Sequence, residues 1–224
     1  MLERKGIEYR RVDLVSVVHR AVVRGLGFPR MTVPALRIDG QRLQGSRTIA
    51  LALDAMVPEP PLFPRDTERR EAVARAEAWG DEVLQPVPRR LVWAALKRDR
   101  STLESFLEGA RLGIPAGLAA RTAAPIVLLS ARLNRADDDS IRRDLRALPG
   151  LLDHVEELLR DGAIGGDEPN AADYQIATSV RLLMALEDLR PLIDGRPVAR
   201  HAVAVAPSYP GRMPRVFPGE WLPG

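Results

Sequence analysis

Four prolines within nine residues, at Pro58, Pro60, Pro61 and Pro64, divide this chain into two unlike parts. Such a run cannot continue a helix and favours an extended, semi-rigid connection. Before it, strand and helix patterns alternate. After it, the apolar periodicity is almost entirely helical. The expected organisation is a first domain over residues 1–56, a proline-rich linker over 57–65, a helical domain over 66–206 and an extended proline-rich tail over 207–224. No internal repeat is visible. At 224 residues the chain has ample material for a core.

In the first part, IEYRRVDL (Ile7–Leu14) reads as a strand. TVPALRIDG (Thr32–Gly40) reads as a second strand with a proline inside it, and Arg42–Leu53 as a short strand turning into a helix. The residues before Ile7 read as the last turn of a helix ending at Gly6. In the second part a helix starts near Asp66 and Thr67, with Val73, Ala76, Trp79 or Gly80, and Val83–Leu84 on one face. Pro86 and Pro88 are expected to kink or interrupt it. Residues 101–110 read as a weaker helix, and 123–133 as an apolar run. Asp139 or Ser140 can cap a further helix whose stripe is Ile141, Leu145, Leu148, Leu152, Val155 and Leu159, with a kink or break at Pro149. Glu168–Leu186 is apolar on most sides and is expected to lie at the centre.

Several function classes are disfavoured. The chain has no cysteine, which excludes disulfides, thiolate catalysis and cysteine metal sites for the chain as written. His19, His154 and His201 are far apart, without metal-ligand spacing. The run Asp137–Asp139 lacks the glycine and later glutamate of a calcium loop and reads as a solvated helix start. No metal is expected. Net charge is only +3, and of the 33 basic residues all but Lys5 and Lys97 are arginine. Arginine raises the pI without a strong field, and no basic run alternates with aromatics, so no nucleic-acid partner is expected. No apolar run reaches the roughly 18 residues of a membrane span, nor is there a signal-peptide core; the expectation is a cytoplasmic protein without a membrane partner.

Three local patterns stand out. Proline inside a strand belongs at an edge or a distorted position, and Val33–Pro34 is the best candidate for a cis bond, which would turn the Val33 backbone outward toward a peptide-like ligand. At Gly45 and Ser46 a strand runs into a helix whose cap is one of the two. A helix N-terminus favours an anion, carboxylate or phosphate, although Ser46 can also simply cap its own helix. Asn170 and Asp173 open the central helix with the reciprocal logic of a capping box, a structural role.

In order and spacing these patterns resemble a cytosolic glutathione transferase of a bacterial kind, from Met1 to about residue 205. The resemblance implies an α/β then all-α protein: an incomplete thioredoxin-like N-terminal domain followed by a helical bundle. It implies glutathione as co-substrate, a small hydrophobic electrophile as second substrate, and a homodimer. Val33 resembles the residue whose main chain pairs with the cysteinyl part of glutathione, and Pro34 the cis-proline beside it. Ser46 resembles the serine holding the γ-glutamyl carboxylate. Gly45 departs from the acidic residue or glutamine usual there, leaving backbone donors only. Trp79 and Trp93 are candidates for the hydrophobic site, with core packing as the alternative. The resembled family carries a Tyr, Ser or Cys on its first strand or first helix start that stabilises the glutathione thiolate. No residue here matches it, so the catalytic residue is unassigned; Ser16 and Ser46 lie elsewhere in the pattern. The expectation is a natural reading frame extending upstream by roughly 15–20 residues. Two readings compete: an enzyme using glutathione on hydrophobic electrophiles, and a non-catalytic binding or scaffold protein on the same fold. A third, a basic surface for acidic partners, is opposed by the modest net charge.

Overall fold

The computed structural model of the chain describes residues 1–111 and 116–223. Residues 112–115 of the expected helical region and residue 224 of the expected tail lie outside them.

The first part is built around one hairpin. Strands β1 (Ala35–Ile38) and β2 (Gln41–Gln44) pair antiparallel, with Leu36 opposite Leu43 and Arg37 opposite Arg42. The turn is Asp39–Gly40, both at positive φ (46° and 79°). Asp-Gly favours this two-residue turn because its twist matches that of the strands. Helix α1 (Val18–Gly25) precedes the hairpin and α2 (Ser46–Met56) follows it. Leu36, Ile38 and Leu43 turn one hairpin face toward the core, where Ile49, Ala50 and Leu53 of α2 are buried.

The sequence reading needs three corrections here. Ile7–Leu14 is not a strand. A strand exists only through a ladder partner, and the sheet holds two strands among the described residues. Pro34 stands just outside β1 rather than within a strand, and its peptide bond to Val33 is cis, as is Glu59–Pro60. Helix α1 is an element the sequence reading did not foresee.

A buried lysine ties this region down. Lys5 Nζ donates to Asp54 Oδ1 at 2.8 Å and to the carbonyls of Val57 and Pro60 at 2.6 and 2.7 Å. All three ammonium protons thus have acceptors. Asp54 Oδ1 also accepts from Leu62 N at 2.7 Å, and the Leu62 carbonyl accepts from Ala171 N at 2.9 Å. One polar chain therefore runs from the N-terminal turn through α2 to the central helix.

From Thr67 onward the described residues form helices and connecting turns, apart from one isolated strand bridge. Asp66 caps α3 (Thr67–Trp79), its side chain accepting from Arg69 N. The chain then makes a wider π turn at Gly80–Leu84, where Gln85 N reaches back five residues to the Gly80 carbonyl, and continues as α4 (Pro86–Arg98). The prolines sit in the first turn of α4, where a missing N–H is harmless. A Cβ on Gly80 would stand 3.0 Å from Gln175 and Ile176, so glycine permits the close approach of the central helix. Helices α5 (Leu103–Phe106), α6 (Ala116–Thr122) and α7 (Ala124–Leu133) follow. Helix α8 (Asp138–Arg160) is capped by Asp137, not by Asp139 or Ser140, and runs unbroken through Pro149. Its stripe from Ile141 to Val155 is fully buried, five side chains worth roughly 1.5–3 kcal/mol each against exposure.

Helix α9 (Ala171–Met184) is the central one, packed against α3, α4 and α11 (Pro197–Val205). Asn170 Oδ1 accepts from the N–H groups of Ala172 and Asp173, and Asp173 Oδ2 accepts from Asn170 N at 2.8 Å. Asp173 Oδ1 also accepts from Gly165 N at 2.8 Å, and His201 Nε2 lies 3.1 Å from that oxygen. A short helix α10 (Arg190–Ile193) precedes α11. The tail returns over the helices: Met213 bridges to Leu186, and Trp221 lies under the guanidinium groups of Arg98 and Arg142, 5.2 and 4.5 Å from its ring centre.

Candidate functional site

The start of α2 is set by Gly45, whose φ of 87° and ψ of 142° turn the chain out of β2. Gly45 is the cap residue, and no side chain caps this helix. The Ser46 hydroxyl is therefore not engaged in closing its own helix. The Gly45 N–H, which the sequence reading left open to a ligand, donates to the Pro34 carbonyl at 3.0 Å. Open donors at this terminus are the first-turn amides, which have no intrahelical acceptor by position. The first turn carries no acidic residue and does carry Arg47. The N-terminal dipole therefore favours an anion here, while the Arg47 guanidinium lies 3.5 Å from Glu77.

Ser46 faces a cavity of about 350 Å³ that it shares with Pro34, Leu36, Ile49, Leu53 and Tyr9. Tyr9 is the polar group the sequence reading missed. Its hydroxyl donates to Glu3 Oε1 at 2.8 Å, and this bond raises the phenol above its ordinary pKa. Tyr9 therefore stays protonated at neutral pH with its proton directed to Glu3.

A second cavity, of about 400 Å³, lies between residues 11–16 and the helices. Its walls are mainly apolar, with Trp93, Leu103, Phe106, Ile126 and Val127 on the helical side and Val33 opposite. The polar side chains reaching it include Asp13 and Ser16. Arg11 donates to Asp13 Oδ1 at 2.7 Å and holds that carboxyl below the usual range. Ser16 Oγ lies 3.0 Å from Ser130 Oγ.

Val33 lines the second cavity and Pro34 the first, so the two lie on either side of one peptide unit. The Val33 N–H and carbonyl make no hydrogen bond among the described residues. Val33, Pro34, Gly45 and Ser46 are thus brought together, and Trp93 faces the neighbouring cavity. Trp79 is elsewhere. It packs edge-on against His154 with ring centres 4.5 Å apart and lines neither cavity. Asn170 and Asp173 close the start of α9, where neither borders these cavities. Among the described residues no group of three or more His, Cys, Asp or Glu is placed to hold a metal ion. No helix among them is long and apolar enough to cross a membrane.

A proline loop entering a hairpin, a helix N-terminus on the same cavity and a helical region behind it give the layout of a thioredoxin-like N-terminal part followed by an all-helical one. Residues 1–61 match the family model described as the N-terminal domain of glutathione S-transferase. Among solved structures, a glutathione S-transferase from Rhodospirillum rubrum F11 is similar at 21% identity, with 94% of this chain and 88% of that one covered and a TM-score of 0.46. No curated protein matches the chain.

Proposed function

We propose that this protein binds glutathione at the Val33–Pro34 and Ser46 face and uses it on hydrophobic electrophiles held in the cavity beside Trp93. The carrying observation is the pair of cavities flanking one peptide unit, with an uncapped helix N-terminus at Ser46 on one side and apolar walls on the other. A carboxylate of the tripeptide would sit at Ser46 and the first-turn amides. The unpaired Val33 main chain would take the cysteinyl amide and carbonyl. The glutathione thiolate would then form a bond to an electrophilic carbon of the second substrate, whose leaving group departs with its electron pair. We read the protein as cytoplasmic and homodimeric, with domains at 1–56 and 66–206, a linker at 57–65 and a tail at 207–224.

The non-catalytic reading has its own support. The Tyr9 proton is directed to Glu3, and Gly45 offers a ligand neither a side chain nor a free N–H. Calorimetry and a conjugation assay with varied electrophiles separate the readings. Glutathione should bind, and Ser46→Ala should weaken it by roughly 1.5–3 kcal/mol, the worth of a hydrogen bond to a charged group. Equal affinity in both proteins would place the anion site elsewhere. Binding without turnover over the electrophile series would favour the scaffold reading.

A further inference from the structure

The whole-chain charge of +3 averages over two unequal regions. Residues 1–56 hold ten Lys and Arg against five Asp and Glu, whereas the remainder holds 23 against 25. Asp39 is the single acidic residue between Asp13 and Asp54, a stretch that contains six arginines.

The fold gathers three of those arginines onto the outer side of the hairpin, and a fourth stands at the end of α1. Register places Arg37 directly opposite Arg42, both exposed, on the face turned away from the core. Like charges directly opposite on a strand pair are destabilising. The segment after α1 is laid over this same face by two ties. Arg42 Nε donates to the Leu26 carbonyl at 2.9 Å, and the Gln44 amide holds Arg30 N, Arg30 O and Thr32 O at 2.7–2.9 Å. Arg30 therefore joins Arg37 and Arg42; Arg24, in the last turn of α1, stands on the side of that helix away from Val22. Among the described residues, no carboxylate comes within 4 Å of any of these four guanidinium groups. Beside them runs an exposed apolar stripe at one-turn spacing, Val18, Val22 and Leu26, continued by Met31. Leu26 is 58% exposed, and its carbonyl is the one that holds Arg42.

We infer that this face of α1 and the hairpin docks on an anionic lipid bilayer. Arginines without acidic partners meet the negative headgroups, and the valine and leucine side chains enter the boundary between headgroups and acyl chains. A nucleic acid would satisfy the charges but not the apolar stripe. The one aromatic residue of the segment, Phe28, is half-buried, so no exposed stacking platform is present.

Sedimentation of the full chain with phosphatidylglycerol vesicles and with phosphatidylcholine vesicles tests this. Binding is expected to the first and not the second, and to weaken as salt rises. The double variant Arg30→Gln/Arg37→Gln removes two charges whose side chains make no hydrogen bond among the described residues. It should bind roughly tenfold or more weakly, since each arginine near such a surface is worth about fivefold. Val22→Ser/Leu26→Ser should also weaken binding, while Arg146→Gln/Arg160→Gln on α8 should leave it unchanged. Thermal melts check that each variant is folded. Equal binding to both vesicle types, no binding to either, no effect of the Arg30/Arg37 variant, or binding to duplex oligonucleotide in place of vesicles would each overturn the inference.

Discussion

The helical region and the N-terminal region are held together by different means. From Thr67 to Val205 the helices close on fully buried apolar side chains, among them Leu91, the stripe from Ile141 to Val155, Ile176 and Leu183. Before Met56 the buried apolar residues are Val23, Ile49, Ala50 and Leu53. A hairpin of two four-residue strands has little face to bury, and isolated hairpins are marginal in water. The N-terminal region is fixed instead by its packing on the helices and by the Lys5–Asp54 chain of polar contacts. Adhesive strength in the helical region is spread over many side chains; in the N-terminal region it is concentrated in a few atoms. The regions also contribute differently to the cavities: the helical one supplies most of the apolar wall around Trp93, and the N-terminal one supplies Ser46, Tyr9, Asp13 and Ser16.

The largest expected effect lies in the helical region. Leu152→Ala should cost about 2–5 kcal/mol, the usual range for a truncated core leucine, and lower the single melting transition of the whole chain. A loss confined to part of the chain would mean the α8 stripe is not shared by the whole fold. Asp173→Ala comes next. The residue is fully buried and its carboxylate accepts from both Asn170 and Gly165, so about 2–4 kcal/mol is expected from two hydrogen bonds to a charged group. A melt unchanged from wild type would sink its structural role. Lys5→Met should cost roughly 1.5–3 kcal/mol. Hydrogen exchange should place that loss in residues 1–63 and leave α8 protected, and exchange rising equally along the chain would erase the contrast between the regions.

The smallest effect concerns Glu77, buried on α3 with Arg47 at 3.5 Å as its cationic neighbour. Burial first, and then Asp81 and Glu82, raise its pKa, while Arg47 opposes. A carboxyl raised in the folded state favours folding most below its unfolded pKa, and this contribution is lost as pH rises through the folded value. Glu77→Gln should therefore match the wild type at acidic pH and equal or slightly exceed its melting temperature near neutral pH. A clear loss of stability near neutral pH would show that the Arg47 pair outweighs burial.

The long helices α3, α8 and α9 were legible in the sequence because their apolar spacing is local, whereas α1 was not. The α8 stripe and the reciprocal pattern at Asn170 and Asp173 can be read within one or two turns. Ile7–Leu14 misled because alternation reports only that a segment can be a strand, whereas pairing depends on a neighbour elsewhere. The cap of α8 fell at Asp137 because three adjacent aspartates are equivalent on paper, and only the backbone turn chooses among them. Of the candidate site, Val33, Pro34 and Ser46 could be located from proline and helix-start chemistry. Tyr9 and the engaged Gly45 N–H could not, since Tyr9 enters the site only by sharing a cavity with the sequence-distant Pro34 and Ser46, and the Gly45 amide is taken by the Pro34 carbonyl. The hairpin was missed as a unit: Asp39–Gly40 is the two-residue turn signal that would have joined the two strand readings.

The π turn at Gly80–Leu84 can be regarded as a phase shifter. Each residue of an α-helix advances its direction by about 100°, so one extra residue in a turn rotates everything beyond it by about that angle. On the near side of Gly80, Val73 and Ala76 point into the core; on the far side, Trp93 looks into the apolar cavity. Deleting one residue from 80–84, so that α3 and α4 merge into a regular helix, would turn α4 by about 100° relative to α3 and so redirect Trp93 from the apolar cavity. The reach of the helical region toward the N-terminal region is thus set, in part, by a single residue's worth of angular offset some ten positions upstream.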